Sequence, residues 1–261
     1  DVDKKAVLKH NVVPEQYRDR IVDRMIWNVN GNGLEKKDLA ILDLIATNNW
    51  ERPIYFNNTS RLTVKLDLSN YLIQEGQAYR LIPVEKPAES SDFVSTDIMY
   101  DNLVNNFFYR ELDNPDSYYN EDYRKFVLNH RQSFNKLAGA LLEEGKEDKA
   151  REVIYKSLEL MPDEAIPYDF TSPFTVNVLY EMGDIEKAQE IADIAGSRAI
   201  EKMDYYERRG NWVPQEFDEI RGILFNMYII TNQNGDDELS TKFYNALGEY
   251  NMLPNRTIQP R

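Results

Sequence analysis

The side chains that carry most protein chemistry are scarce in this sequence. It contains two histidines, His10 and His130, and no cysteine. A lone histidine rarely forms a metal site, and neither of these has a second histidine four residues further on, as a helical zinc motif requires. The absence of cysteine excludes disulfides, thiolate zinc sites and cysteine nucleophiles. We therefore predict a chain without a catalytic constellation, a metal site or a cofactor.

Two further segments have the composition of binding loops but not the spacing. Gly31-Asn32-Gly33-Leu34 lacks the glycine and lysine spacing of a phosphate-binding loop, so we interpret it as a turn. Asp113, Asp116, Glu121 and Asp122 form an acidic patch among tyrosines. A calcium-binding EF-hand loop also needs a central glycine and a terminal glutamate at fixed positions, and both are missing.

Charge excludes one class of partner. The 261 residues carry a formal net charge of −14. Proteins that bind nucleic acid need clustered lysine and arginine, so we expect no nucleic-acid partner. Anionic lipid is equally disfavoured for the body of the chain. The charge is uneven, however, because residues 1–37 carry +2, residues 38–130 carry −7 and residues 131–261 carry −9.

Residues 1–120 are predicted to form a small α/β and helical region. The β-branched and aromatic run Ile54 to Phe56 predicts a strand, and Ala78 to Val84 predicts a second one. Between them, Leu66 to Gln74 is predicted to be a helix capped by Gly76. A strand, a helix and a strand in this order suggest a parallel βαβ-like unit.

Residues 121–261 are predicted to form TPR-like helix pairs, which makes the fold class mainly α with a small α/β unit before the repeats. A glycine at the turn and an alanine where two helices cross recur as Gly145 with Ala150 and as Gly183 with Ala188. An ordinary helical bundle is the alternative. The predicted copies are 131–164, 169–201 and a degenerate 215–250.

Three segments carry a resemblance to a known family: Asn48 to Phe56, Glu75 to Val84 and Thr96 to Leu103. Together they resemble the C-terminal soluble tail of a family of multi-pass membrane proteins of unknown function from Bacteroidota. That family is similar to protein O-mannosyltransferases of the GT-C class. The resemblance covers the whole chain, with TPR-like helices closing the tail.

The resemblance implies a place and a role. In GT-C enzymes the catalytic acid lies in the membrane half, so the resemblance assigns no catalytic residue to this chain, which we expect not to be an enzyme. It implies a soluble domain at the periplasmic face of the inner membrane, attached to an upstream transmembrane region of the same polypeptide. Its implied role is an accessory domain that assists binding of an acceptor protein or glycan. The alternative is a protein–protein interaction scaffold with no glycan role.

A TPR-like groove supplies candidate binding residues. The first helix of each pair lines the concave face of such repeats, at fixed positions of the repeat. Tyrosine, tryptophan and asparagine there would favour a glycan, whereas apolar and charged residues would favour a peptide. The face could instead pack against residues 1–120. The candidate groove residues are Gln132, Asn135, Asn177, Tyr180, Phe225 and Ile229.

Overall fold

The chain is mainly helical, with a small sheet near its start. A computed structural model describes residues 1–88, 92–210 and 214–250. These residues divide into two compact units: residues 1–108 together with 140–145, and residues 109–139 together with those from 146 onward. The predicted fold class is confirmed in its coarser form, a mainly helical chain with a small sheet in its N-terminal part. Residues 251–261 of the predicted helical half lie outside the described part of the chain.

The first unit consists of short elements around a three-stranded sheet. Its helices are α1 (Lys4–Lys9), α2 (Lys36–Thr47), α3 (Ser60–Thr63) and α4 (Thr96–Tyr100), and α4 continues as a π-helical turn, Asp101–Asn106. Single 3-10 turns occupy Glu15–Arg20 and Ser69–Tyr71. The strands are β1 (Tyr55–Asn57), β2 (Leu72–Gln74) and β3 (Ala78–Leu81).

The sheet is antiparallel, with β3 between β1 and β2. The predicted parallel βαβ-like unit is therefore wrong, and so is the predicted helix over Leu66 to Gln74. Gly76 has φ +125°, which allows it to close a tight hairpin from β2 to β3. Its apparent role as a helix cap was the source of the error, since both kinds of turn favour glycine.

Successive side chains on a strand point to opposite faces, and each face of this sheet has its own apolar cluster. Ile73 of β2 packs in one cluster and its neighbour Leu72 in the other. Both clusters combine the sheet with flanking segments, so the sheet is the centre of the core in this unit. The first cluster comprises Val7, Val12, Val13, Ile21, Ile73, Ile82, Val84 and Phe93, and the second comprises Phe56, Leu66, Leu68, Tyr71, Leu72, Tyr79 and Leu81.

The remaining helices form three successive hairpins within the described part of the chain. They are α5 (Glu121–Glu143) with α6 (Glu147–Leu160), α7 (Ser172–Glu181) with α8 (Ile185–Arg209), and α9 (Pro214–Gln233) with α10 (Asp237–Glu249). The short connections make the two helices of a hairpin antiparallel. The predicted copies 131–164, 169–201 and 215–250 each contain a turn with a helix on both sides. Within the described residues, no helix has both the length and the apolar content needed to cross a bilayer.

Candidate functional site

Each hairpin turn depends on a glycine in the left-handed backbone region. Gly145, Gly183 and Gly235 have φ values of +71°, +75° and +73°. A side chain with a Cβ would be strained there, so the glycine lets the chain reverse within three residues. This common turn gives the three hairpins one register.

A small buried residue follows each turn glycine by five positions. These residues are Ala150, Ala188 and Ser240, with exposed fractions of 0%, 0% and 5%. A small side chain at this position lets the second helix of the hairpin approach its neighbours closely. The third hairpin therefore keeps the register of the first two, with serine in place of alanine.

Consecutive hairpins are joined by a side-chain contact that recurs in the same register. Arg151 of α6 donates to Asp184, the residue after Gly183, and Gln189 of α8 donates to Asp236 over 2.9 Å. Arg151 and Gln189 both lie six residues after their turn glycine. Asp236 also accepts a 2.9 Å hydrogen bond from the hydroxyl of Tyr180. The seams between hairpins are thus held by polar contacts as well as by apolar packing.

A buried arginine fixes the connection between the first and second hairpins. Arg131 of α5 is 2% exposed, and its guanidinium donates to the carboxylate of Asp169 at 2.9 Å. The same guanidinium donates to the backbone carbonyls of Met161, Ile166 and Pro167 at 3.1, 2.7 and 3.3 Å. Burial lowers the pKa of Arg131, while the charge of Asp169 acts in the opposite direction. These acceptors make the arginine a structural clamp rather than a free cation.

Two of the predicted groove residues are buried in the interior of the second unit. Asn135 is 5% exposed, donates to the carbonyl of Thr171 and accepts from the hydroxyl of Thr175. Tyr180 is also 5% exposed, and its hydroxyl is bonded to Asp236. Both side chains hold neighbouring segments together, so their polar groups already have partners within the unit.

The other four predicted groove residues are half-buried and reach the surface. They are Gln132 on α5, Asn177 on α7, and Phe225 and Ile229 on α9. The amide of Asn177 donates to the carboxylate of Glu181 over 2.6 Å. The structure thus leaves an amide and apolar subset of the predicted residues accessible to a ligand.

The open surface is clearest on α7. This helix is flanked by α5, through the contacts of Asn135 with Thr171 and Thr175, and it also packs against α8 and α9. The residues left uncovered on α7 are Phe174, Asn177 and Glu181, which helical spacing places on one face. We call these three residues, together with Phe170 just before the helix, the open face of α7.

Three residues of the open face, Phe170, Phe174 and Glu181, were not among those predicted. Phe174 is 57% exposed and Phe170 is 42% exposed, which is unusual for phenylalanine. The repeat register could have found Phe170, because it stands as far before Gly183 as Gln132 stands before Gly145. Phe174 carries no such signal, since its position in the first hairpin is occupied by Lys136.

Neither histidine is part of a polar cluster. Burial lowers the pKa of His130, whose ring packs edge-on against Tyr109 at a centroid distance of 5.7 Å. Among residues 1–88, 92–210 and 214–250, no group of three or more His, Asp or Glu side chains is placed to hold a metal ion.

In the first unit, the three segments that carry the family resemblance meet around Glu75. Its carboxylate accepts from the hydroxyl of Tyr55 at 2.5 Å and lies 3.4 Å from the guanidinium of Arg80. Its backbone carbonyl accepts from the side-chain amide of Asn102 at 2.7 Å. Burial and then the bond to Glu75 raise the pKa of Tyr55 to about 12. This cluster ties the hairpin turn to β1 and to the segment after α4.

Comparison with known proteins places the first unit in context. Residues 1–100 match the family model described as TMEM260-associated domain 2. These residues are thus similar to a domain tied to TMEM260-like membrane proteins. The match covers most of the first unit and none of the second. No curated protein and no solved structure matches the chain.

Proposed function

We propose that this chain is a non-catalytic accessory domain of a TMEM260-like membrane protein, and that its second unit binds an acceptor polypeptide. The family match at residues 1–100 supports the membrane-protein context. The parent protein in this proposal resembles GT-C protein O-mannosyltransferases, and the domain works at the periplasmic face of the membrane. The helical hairpins act as TPR-like repeats that present one face to the ligand.

The open face of α7 carries the proposal. Phe170 and Phe174 stand four residues apart and expose their rings, and Asn177 lies one turn beyond Phe174. Exposed phenyl rings can bury an apolar side chain of a ligand, which stabilises binding through the hydrophobic effect. An amide side chain can donate to and accept from a peptide backbone at the same time. An extended peptide segment with apolar side chains meets both requirements.

Composition of the accessible residues favours a peptide over a glycan. Groups that stack on and hydrogen-bond to sugars would be tyrosine, tryptophan and amides. Tyr180, the one tyrosine predicted for the groove, is buried and bonded to Asp236. The accessible positions are instead mainly apolar, with Phe174, Phe225 and Ile229, and Glu181 adds a charge.

The test is a titration of labelled peptides into the chain, read as fluorescence anisotropy. One peptide is an extended segment with apolar side chains and serine or threonine acceptors, and the other is the same peptide carrying mannose. We expect both to bind. Phe174→Ala is expected to weaken binding about tenfold, which is typical of a truncated central aromatic anchor.

The matched control is Tyr205→Ala, which removes an aromatic side chain of similar exposure from α8. We expect this variant to bind like the unmodified chain. If only the mannosylated peptide binds, the ligand recognised by this face is the glycan and not the peptide. Equal affinity of the Phe174→Ala and Tyr205→Ala variants would overturn the assignment of this face.

A further inference from the structure

A second surface, on the first unit, combines exposed aliphatic side chains with basic ones. Leu62 is 71% exposed, Leu39 54%, Val29 46% and Leu34 38%. Lys36 and Lys37 are exposed beside them along the chain. We call these six residues the basic-aliphatic patch. Singly exposed aliphatic residues are common, but a group of them that lies together on one surface marks an interaction site.

Backbone pairing brings the three segments of the patch together. Val29 forms an antiparallel bridge with Leu66, and the N–H of Asn30 donates to the carbonyl of Lys65 over 2.7 Å. The ammonium group of Lys65 reaches the carbonyl of Gly33 at 3.0 Å. The segment before α2 therefore lies along the segment that follows α3.

A buried carboxylate holds the start of α2 in the same assembly. Asp38 is the fully buried residue of this helix, and its carboxylate accepts from the N–H of Glu35 at 2.8 Å and of Lys65 at 2.9 Å. The apolar side chains of α2 are at most partly buried. Asp38 anchors the start of the helix, Ile41, Leu42 and Ile45 pack against the second apolar cluster, and Leu39 remains at the surface.

The charge of this surface is opposite in sign to that of the chain as a whole. Within residues 28–39 and 60–65 the basic side chains are Lys36, Lys37, Arg61 and Lys65, and the acidic ones are Glu35 and the buried Asp38. The region is therefore net positive by two, in a chain whose formal net charge is −14. Most of this chain is acidic, so a protein attracted to it by charge would be basic. The positive region would repel such a partner.

We propose that the basic-aliphatic patch seats on the surface of a lipid bilayer with anionic headgroups. Leucine and valine enter the boundary between headgroups and acyl chains, and the lysines stay among the headgroups, which is the usual chemistry of interfacial binding. The membrane context rests on the proposed function, and the matched residues 1–100 contain the whole patch. The patch would then orient the first unit against the membrane that holds its parent protein.

Vesicle co-sedimentation of the whole chain tests this proposal. The vesicles are phosphatidylcholine alone, or phosphatidylcholine and phosphatidylglycerol in equal parts. We expect preferential binding to the anionic vesicles that weakens as salt is raised. Lys36→Gln and Lys37→Gln are each expected to weaken that binding about fivefold. The double variant Leu34→Ser with Leu62→Ser is expected to abolish binding to both vesicles.

The matched control is Ile98→Ser, because Ile98 has the same 38% exposure as Leu34 in the same unit but lies outside the patch, beside Asp97 on α4. Circular dichroism of every variant checks that the fold is retained. No binding of the unmodified chain, or equal loss in the Ile98→Ser variant, would overturn the proposal. So would a dimer in sedimentation velocity that the Leu34→Ser and Leu62→Ser changes dissociate, because the patch would then join two copies. Peptide binding is measured without lipid, so it can succeed or fail independently of these results.

Discussion

Gly196 of α8 lies directly against the ring of Phe243 of α10. A Cβ built on Gly196 would be 2.1 Å from Cε1 of that ring, and Phe243 itself is fully buried. The close approach of the two helices therefore depends on the missing side chain. It also links the second hairpin to the third by a contact that even one methyl group would break.

Gly196→Ala is accordingly expected to destabilise the chain. A buried ring cannot move away freely, so overpacking should lower the free energy of unfolding by about 1–3 kcal/mol. Urea denaturation followed by circular dichroism measures the change. Gly222→Ala is the matched control, since a Cβ there meets nothing within 4 Å. Alanine favours the helix at that position, so the control should gain about 0.5–1 kcal/mol.

Arg131→Met should be among the most damaging single changes in the second unit. It leaves the carboxylate of Asp169 and the carbonyls of Met161 and Ile166 without their buried donor. Breaking such a buried pair from one side costs about 3–5 kcal/mol, which chemical denaturation would register as a lower midpoint. Arg131→Lys should recover only part of the loss because an ammonium group lacks the planar fork. A midpoint unchanged by either substitution would contradict the clamp.

Tyr180→Phe tests the seam between the second and third hairpins. The variant keeps the ring but removes the hydrogen bond to Asp236. We expect a loss of about 1–2 kcal/mol, because a buried carboxylate oxygen loses one of its donors. A double-mutant cycle with Gln189→Ala should show non-additive effects, since both donors reach the same carboxylate oxygen. Strict additivity would mean that the two contacts act independently.

The burial of His130 should make the free energy of unfolding depend on pH. Burial lowers its pKa below the ordinary value of 6.5, and its Nδ1 is buried without a hydrogen-bond partner. Between the folded and unfolded pKa values the unfolded chain binds more protons, so stability is complete above pH 6.5 and falls as the pH drops below it. Thermal midpoints measured across this range should fall less steeply for His130→Phe than for the unmodified chain. Parallel curves would assign the slope to other groups.

Features that depend on local backbone conformation, such as the hairpin turns, could be predicted from the sequence. Gly145 and Gly183 marked the hairpin turns because a reversal after a helix needs a left-handed residue, and the structure has one at each position. The same reasoning failed at Gly76, where the turn joins two strands. A glycine signals a reversal of the chain but not the kind of element on either side.

Whether a predicted groove residue is buried or exposed depends on contacts between distant parts of the chain. Asn135 meets Thr171 at a separation of 36 residues, and Tyr180 meets Asp236 at a separation of 56. Helical spacing alone gives the face on which such residues lie. It does not give the partner that approaches from another hairpin and takes up their polar groups.

The length of α8 has a consequence for how this chain can evolve. Its partner α7 ends after ten residues, whereas α8 continues for 25, and it also packs against α9 and α10. Ala199 and Met203 are buried in this continuation, at 2% and 0% exposure. If a hairpin were gained or lost after α8, the helix that then follows would have to keep these two side chains covered, so such a change would require matching substitutions on that helix.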